Sequence, residues 1–283
     1  MILGLQVLSG GFAKMAFSQS QIHLSSTIIG QGDLALIRIH TENAHAPQVI
    51  WMGKEVFLVP NPQKTQWHGF LGADLTASPG HYKVVVKMPG SDAEKQLEVE
   101  IREKDYGVRR LTLPRNMVDL DAETLQRVTK ESRRMETLWE APSSAPRWSG
   151  SFLSPISGEV AGPFGQRSII NDQPRSPHSG IDLRGEMGEP VRAINHGRVV
   201  LTGDHFFTGL TVVIDHGGGI QSMYFHLAKI AVQKGDRVAK GHIVGLVGST
   251  GRATGPHLHW GIRMNGDRID PLRLLALSQQ LEE

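Results

Sequence analysis

The sequence predicts a mainly β protein in two parts joined by a helix. Short apolar runs separated by glycine and proline predict the strands, apolar residues at helical spacing predict one helix, and the breaker-rich segment Ala141–Pro146 predicts the boundary. With 283 residues the chain has room for two cores.

Residues 1–20 open on the apolar run Met1–Leu8, which is too short to cross a bilayer and has no basic residue before it. With small residues at Ala16 and Ser18, this stretch is expected to be a signal remnant or a flexible terminus. Over 21–104, the runs Leu34–Ile39, Val56–Val59, Tyr82–Lys87 and Leu97–Ile101 alternate with turn signals such as Gly30–Gly32 and Pro60–Pro62. They read as a β-sandwich, and Tyr82 after Pro79–Gly80–His81 resembles the tyrosine corner of immunoglobulin-like domains. Over 105–148 a helical linker is expected. Leu125, Val128, Met135, Leu138 and Trp139 recur at helical spacing, and Asp119, Asp121 and Glu123 cluster where a helix start favours acids. A second β-rich domain is expected over 149–276, with runs such as Gly197–Leu201, Leu210–Ile214, Ile220–Phe225 and Ile243–Val247, and then a tail over 277–283.

Thirty basic against 28 acidic side chains leave a formal charge of +2, too small an excess to grip nucleic acid. The absence of cysteine removes disulfides, thiolate nucleophiles and Cys-based metal sites, so a metal here must be held by histidine and carboxylate. No stretch is long and apolar enough for a transmembrane segment.

Of the 13 histidines, His23, His40, His45, His68 and His81 precede the linker without mutual spacing that suggests a site. After it come three tight signatures, His178–Asp182, Tyr224–Leu227 and Gly255–Trp260. On a strand, residues two apart face the same way, so His257 and His259 project together while Leu258, Trp260 and Ile262 point into a core. His178 and Asp182, separated by the flexible Ser179–Gly180, offer one nitrogen and one oxygen. With one of His257 and His259, they make the three-ligand set of a catalytic zinc, whose fourth position stays open for water. Spacing alone leaves open which of the two binds metal. The remaining histidines, His226 among them, suit proton transfer and oxyanion stabilisation.

The segment from about Gly158 to Leu274, roughly two fifths of the chain, resembles the lysostaphin/LytM-type zinc endopeptidases, metallopeptidase family number twenty-three. Phe164–Arg167 is similar to that family's Phe-Gly-x-Arg, His178–Asp182 to its His-x3-Asp, and Gly248–Gly251 with Gly255–His259 to its closing signature. The resemblance implies a β-rich domain with a groove and zinc ligands His178, Asp182 and His259, with His226 and His257 as the catalytic pair. It also implies hydrolysis of peptidoglycan cross-links or stem peptides by zinc-bound water, in a periplasmic or secreted protein. Manganese, iron or cobalt could also be held by such ligands, but the donor set suits zinc best. The region ahead of the peptidase segment is similar to the accessory region of secreted members, where it restrains access, positions the enzyme or binds a partner.

One departure is Gly261, where many relatives carry an acidic residue; this bears on substrate preference more than on metal binding. A family member that only activates other hydrolases is disfavoured, because all five key positions are filled. A biotinyl/lipoyl-type carrier, suggested by Gly235–Gly241, lacks an exposed hairpin lysine and leaves the histidines unexplained. His216 is a candidate outer partner of the site, although a strand-corner role is favoured. Arg167 is a candidate to orient Asp182 or a substrate carboxylate.

Overall fold

The computed structural model of the protein describes all residues except 1–21, 42–43, 91–93, 113–114, 116–117, 141–142 and 282–283. The expected signal remnant or flexible terminus lies outside the described residues. No helix among them is long and apolar enough to cross a membrane.

Two sheets form the N-terminal part. One runs β1 (Ile22–Leu24), β3 (Leu34–His40), β7 (Gln66–Gly72) and β6 (Val59–Pro60); the other runs β2 (Ile28–Gly30), β9 (Glu94–Arg102), β8 (Gly80–Lys87), β4 (Gln48–Trp51) and β5 (Lys54–Glu55). Ala35, Ile37 and Ile39 of β3 meet Val49, Val84, Val86, Val99 and Ile101 of the second sheet in one core. Leu34 and Leu36 point the other way, into the core of the C-terminal part with Phe70, Phe152 and Leu274. The nearly continuous apolar run of β3 is what burial on both faces requires of a strand. The Tyr82 hydroxyl donates to the Ser78 carbonyl at 2.8 Å, tying the start of β8 to its own turn.

The expected strand over Val56–Val59 is not formed as such. β5 pairs with β4 in one sheet and β6 with β7 in the other, so Val56–Leu58 is the crossing between them. Pro60, which cannot donate to a ladder, sits on the edge strand β6.

The linker contains more than a helix. Val108–Leu111 forms β10, pairing in parallel with β12 (Arg167–Ile170), which continues to β13 (Gln173–Arg175). With two arginines in four residues, β10 carries no apolar alternation to announce it. The helix α1 spans Ala122–Glu140, and Asp121 caps it by accepting the Thr124 amide at 2.8 Å. Met135, Leu138 and Trp139 pack on Leu201, Val213, Met223 and Phe225. Leu125, placed in the apolar stripe by spacing, is instead exposed.

The C-terminal sheet has the order β11 (Val160–Gly162), β14 (Gly180–Arg184), β22 (His257–Met264), β18 (Ile220–Leu227), β17 (Gly209–Gly217), β16 (Gly197–His205) and β20 (Arg237–Val238), with β23 (Asp267–Ile269) paired to β22. A smaller sheet comprises β15 (Pro190–Arg192), β21 (Ile243–Leu246) and β19 (Lys229–Ile230). Gly217–Gly219 turns β17 into β18. The closing helix α2 (Pro271–Ser278) is capped by Asp270, has proline in its first turn, and buries Leu274 and Leu277. The stretch expected as a tail from 277 therefore begins inside α2.

Arg268 of β23 clamps the two parts together. Its Nε donates to Asp74 Oδ2 at 3.0 Å, its backbone amide to the same oxygen at 2.9 Å, and one terminal nitrogen to Asp74 Oδ1 at 2.5 Å. Burial pushes the Asp74 carboxyl up, but these bonds outweigh it and hold the group well below the usual carboxylate range. A folded-state pKa below the unfolded value of about 3.9 means the stabilisation is complete above that pH and is lost as acid titrates the folded group. Asp74→Ala is expected to cost about 2 kcal/mol at neutral pH. Denaturant unfolding of variant and parent at pH 7 and pH 3 should show the gap narrowing in acid.

Candidate metal centre

Strand register builds the centre. β14 and β22 are antiparallel, with Asp182 directly opposite His259 and Arg184 opposite His257. Facing residues in such a pair have side chains within about 5.5 Å, so the carboxylate meets the imidazole without any loop having to place it. Leu258, Trp260 and Ile262 fill the core on the opposite face of β22, as the alternation expects. His178 lies two residues before the start of β14 and is strapped to the Phe164–Arg167 segment: its amide donates to Gln166 O at 2.9 Å and its carbonyl accepts from Gly165 N at 2.8 Å. Gly180 is required between His178 and Asp182, because a β-carbon there would sit 2.5 Å from Trp260 O and 2.7 Å from His259 Nε2.

Three donor atoms converge. His178 Nε2 lies 3.0 Å from both Asp182 Oδ1 and His259 Nδ1, and His259 Nδ1 lies 2.9 Å from Asp182 Oδ1. Tetrahedral ligands with bonds of about 2.0–2.1 Å stand roughly 3.3 Å apart, so the set needs little adjustment to hold zinc. His178 Nδ1 is 2.9 Å from the Pro163 carbonyl, which can only accept; the proton is on Nδ1, and Nε2 presents a lone pair to the centre. Burial pushes the Asp182 carboxyl up, but the bonds to His178 and His259 dominate and hold it far below its ordinary value. Burial also lowers His259, which favours the unprotonated form that a metal needs.

His226 and His257 stand beside this set, with ring centroids 4.8 Å apart. His257 Nδ1 faces Gly255 O at 2.8 Å and His226 Nδ1 faces Thr250 O at 2.8 Å, so each neutral ring keeps its proton on Nδ1 and leaves Nε2 as an acceptor. His257 Nε2 is 3.9 Å from Asp182 Oδ1, a full ångström farther than His259 Nδ1. His226 reaches the site through an irregularity. The β17–β18 register shifts between Leu210 and Val212, and His226 has φ of 61°. Strict alternation would put His226 on the core face with Tyr224. The bulge instead sends Phe225 and His226 to the same side, where Phe225 stacks on His259 with centroids 5.2 Å apart. Burial, with the neighbouring His259 and His257, pushes His226 down to about 3, so it is neutral near pH 7.

Spacing did not find Arg109. From β10 its Nη1 reaches Asp182 Oδ2 at 3.4 Å while its Nε donates to Ser168 Oγ at 2.9 Å. Arg167 is not the group that bonds Asp182: on β12 it faces solvent, while its neighbour Ser168 points inward to meet Arg109. His216 lies in the core rather than at the site, with Nδ1 2.8 Å from His196 O and Nε2 2.7 Å from Ser222 Oγ. None of the histidines before the linker joins the cluster.

Peptidase family M23 matches residues 176–271. A crystal structure from Pseudomonas aeruginosa assigned to peptidase M23 is 31% identical and covers 87% of this chain and 95% of its own, with a TM-score of 0.68. Peptidoglycan DD-endopeptidase ShyA of Vibrio cholerae is 42% identical over 98 residues, which is 35% of this chain and 23% of ShyA. DD-carboxypeptidase/endopeptidase Mpg of Neisseria meningitidis is 36% identical over 124 residues, 44% of this chain and 29% of Mpg. The chain thus spans less than a third of the length of these curated relatives.

Proposed function

Because the chain belongs to peptidase family M23, we propose that it is a zinc metallo-endopeptidase that hydrolyses peptide cross-links or stem peptides of bacterial peptidoglycan. The observation that carries this reading is the convergence of His178, Asp182 and His259 beside two further histidines, His226 and His257, whose Nδ1 atoms are each held by a backbone carbonyl. His178 Nε2, Asp182 Oδ1 and His259 Nδ1 would hold the metal, and zinc bound there would supply Lewis acidity and lower the pKa of a water to about 7. His257 Nε2 accepts a proton from the attacking water, and the imidazolium so formed donates it to the leaving amine. His226, held neutral by burial, takes the same kind of proton or gives a hydrogen bond to the carbonyl oxygen once protonated. We place this activity in the bacterial cell envelope, in a periplasmic or secreted protein, because that is where the substrate lies. ShyA and Mpg, named for endopeptidase activity, support the same substrate class.

Metal analysis of the purified chain, with mass analysis of its products on purified peptidoglycan, tests the reading. About one zinc per chain and newly cleaved peptides are expected. A metal-loaded chain that leaves peptidoglycan intact would overturn it.

Arg109 acts through Asp182. By bonding Oδ2 it leaves Oδ1 turned toward the two imidazoles, and outer partners of this kind are worth about 10–100-fold in metal affinity. Arg109→Ala is expected to weaken zinc binding about tenfold in a chelator competition, with Arg109→Lys intermediate. Unchanged affinity in both variants would remove Arg109 from the site.

A further inference from the structure

The face of β22 that carries His257 and His259 continues through Gly261 to Arg263. Four residues of strand separate His259 from Arg263, about 13 Å at 3.3 Å per residue. The Arg263 guanidinium is unusually placed. One terminal nitrogen donates to Gly266 O at 3.2 Å, the group lies over the Trp139 ring at 5.4 Å, and Nε is buried without a hydrogen-bond partner. Among the described residues it makes no ion pair with a carboxylate. Burial lowers its pKa to about 10, helped by the neighbouring Arg268 and opposed by the Asp74 and Asp267 carboxylates, so it is still a cation near neutral pH. A desolvated charge of this kind is costly until an opposite charge and hydrogen bonds satisfy it.

This guanidinium lines a cavity of about 380 Å³ between α1 and the sheet, whose α1 wall also carries Glu136 and Glu131, the latter paired with Arg127. Ser179, which follows the ligand His178, and Phe225, which stacks on His259, line the same cavity. One end therefore adjoins the metal centre and the other meets Arg263 and Trp139. Between them the strand carries Gly261, where a β-carbon would come within 2.5 Å of Met223 Cε. An acidic side chain at 261 would stand two residues from Arg263 on the same face, as its internal counter-ion. Glycine supplies none.

We propose that Arg263, backed by Trp139, binds a free carboxylate of the peptide substrate about four residues from the bond that is cut. This rests on the peptide-hydrolase reading above. A guanidinium grips a carboxylate through two neighbouring N–H groups, and the cavity gives an extended peptide its path from that anchor to the metal. The carboxylate belongs either to the peptide's terminus or to one of its side chains, and the test separates the two.

The zinc-loaded full chain is titrated with a synthetic stem peptide bearing all its free carboxylates, with the same peptide amidated at its terminus, and with the same peptide amidated at its side chains. Cleavage is followed in parallel. One amidated form is expected to bind about 10- to 100-fold more weakly than the free acid, and the form affected names the carboxylate. In Arg263→Gln this preference should vanish with zinc content unchanged, and Arg263→Lys should keep part of it. Equal binding of all three peptides, no binding of any, or an equal loss on all three in Arg263→Gln overturns the proposal. The comparison of peptides on the parent chain needs no variant, so misfolding of one leaves the result decisive. Selective binding without cleavage would leave this site standing and remove the hydrolase reading, whereas cleavage without selectivity would do the reverse.

Discussion

Asp182→Ala is expected to leave the chain without zinc and without peptidoglycan cleavage. Asp182 is the only carboxylate among the converging donors, and its Oδ1 lies at 3.0 and 2.9 Å from the two imidazole nitrogens. Removing it takes away a ligand and also the negative charge that lets a divalent cation sit beside Arg109, whose Nη1 is 3.4 Å from the other carboxylate oxygen. The guanidinium would then face the metal site uncompensated. Outer-shell losses alone cost about 10–100-fold in affinity, so loss of this ligand should exceed about 100-fold. Asp182→Asn keeps the shape and loses the charge, and should bind zinc more weakly than the parent. The sheet around the site is held by a core that does not include Asp182, so the far-UV circular dichroism of the alanine variant should match the parent. Metal content after dialysis, with cleavage assayed on the same samples, checks the prediction. Normal cleavage by a zinc-free variant would sink the assignment.

The sequence made this centre legible wherever it rests on strand periodicity. The alternation of His257 and His259 with Leu258, Trp260 and Ile262 places two imidazoles on one face, and register then sets Asp182 against His259. It hid whatever rests on a break in periodicity or on a distant contact. The Tyr224–Leu227 signature and the resemblance name His226, but strict alternation would turn it to the core, and no residue pattern marks the shifted register and left-handed backbone that bring it to the site. Arg109 lies 73 positions before Asp182 on a strand without apolar alternation, so nothing local announces it. The same division runs through the fold. Leu34–Ile39 reads as a strand, and its near-continuous apolarity signals burial on both faces, yet the sequence does not say what covers the second face. Val56–Val59 reads as one strand although it crosses between sheets, because apolar content reports burial rather than pairing.

That shared core bears on what the N-terminal part does. Leu34, Leu36 and Phe70 sit in the same cluster as Trp148, Phe152 and Ile269, and the Arg268 clamp reinforces the contact. With β10 paired to β12 beside the metal centre and α1 packed on the sheet's outer face, the segment joining the two parts contributes directly to the surroundings of the site. Arg109 and Trp139 both come from it.

His257→Ala and His259→Ala are expected to separate chemistry from metal binding. His259 Nδ1 is in contact with Asp182 Oδ1 and His178 Nε2, and its ring is fixed by stacking on Phe225, so its loss should release zinc and activity together. His257 Nε2 stands 3.9 Å from the same carboxylate oxygen, outside the converging set. Its loss should spare zinc while lowering the cleavage rate by about 10²–10⁴, the usual contribution of a positioned acid or base. His226 should behave like His257. There Asn is the better replacement, since it tolerates the left-handed backbone that Ala resists by about 1 kcal/mol. The measurement is zinc per chain and single-turnover cleavage for each variant, so that slow product release does not mask the chemical step. Equal zinc loss in the His257 and His259 variants would mean that both histidines bind the metal. The proton transfers would then fall to His226 alone, whose Nδ1 is already committed to Thr250 O and whose Nε2 is therefore the single remaining acceptor.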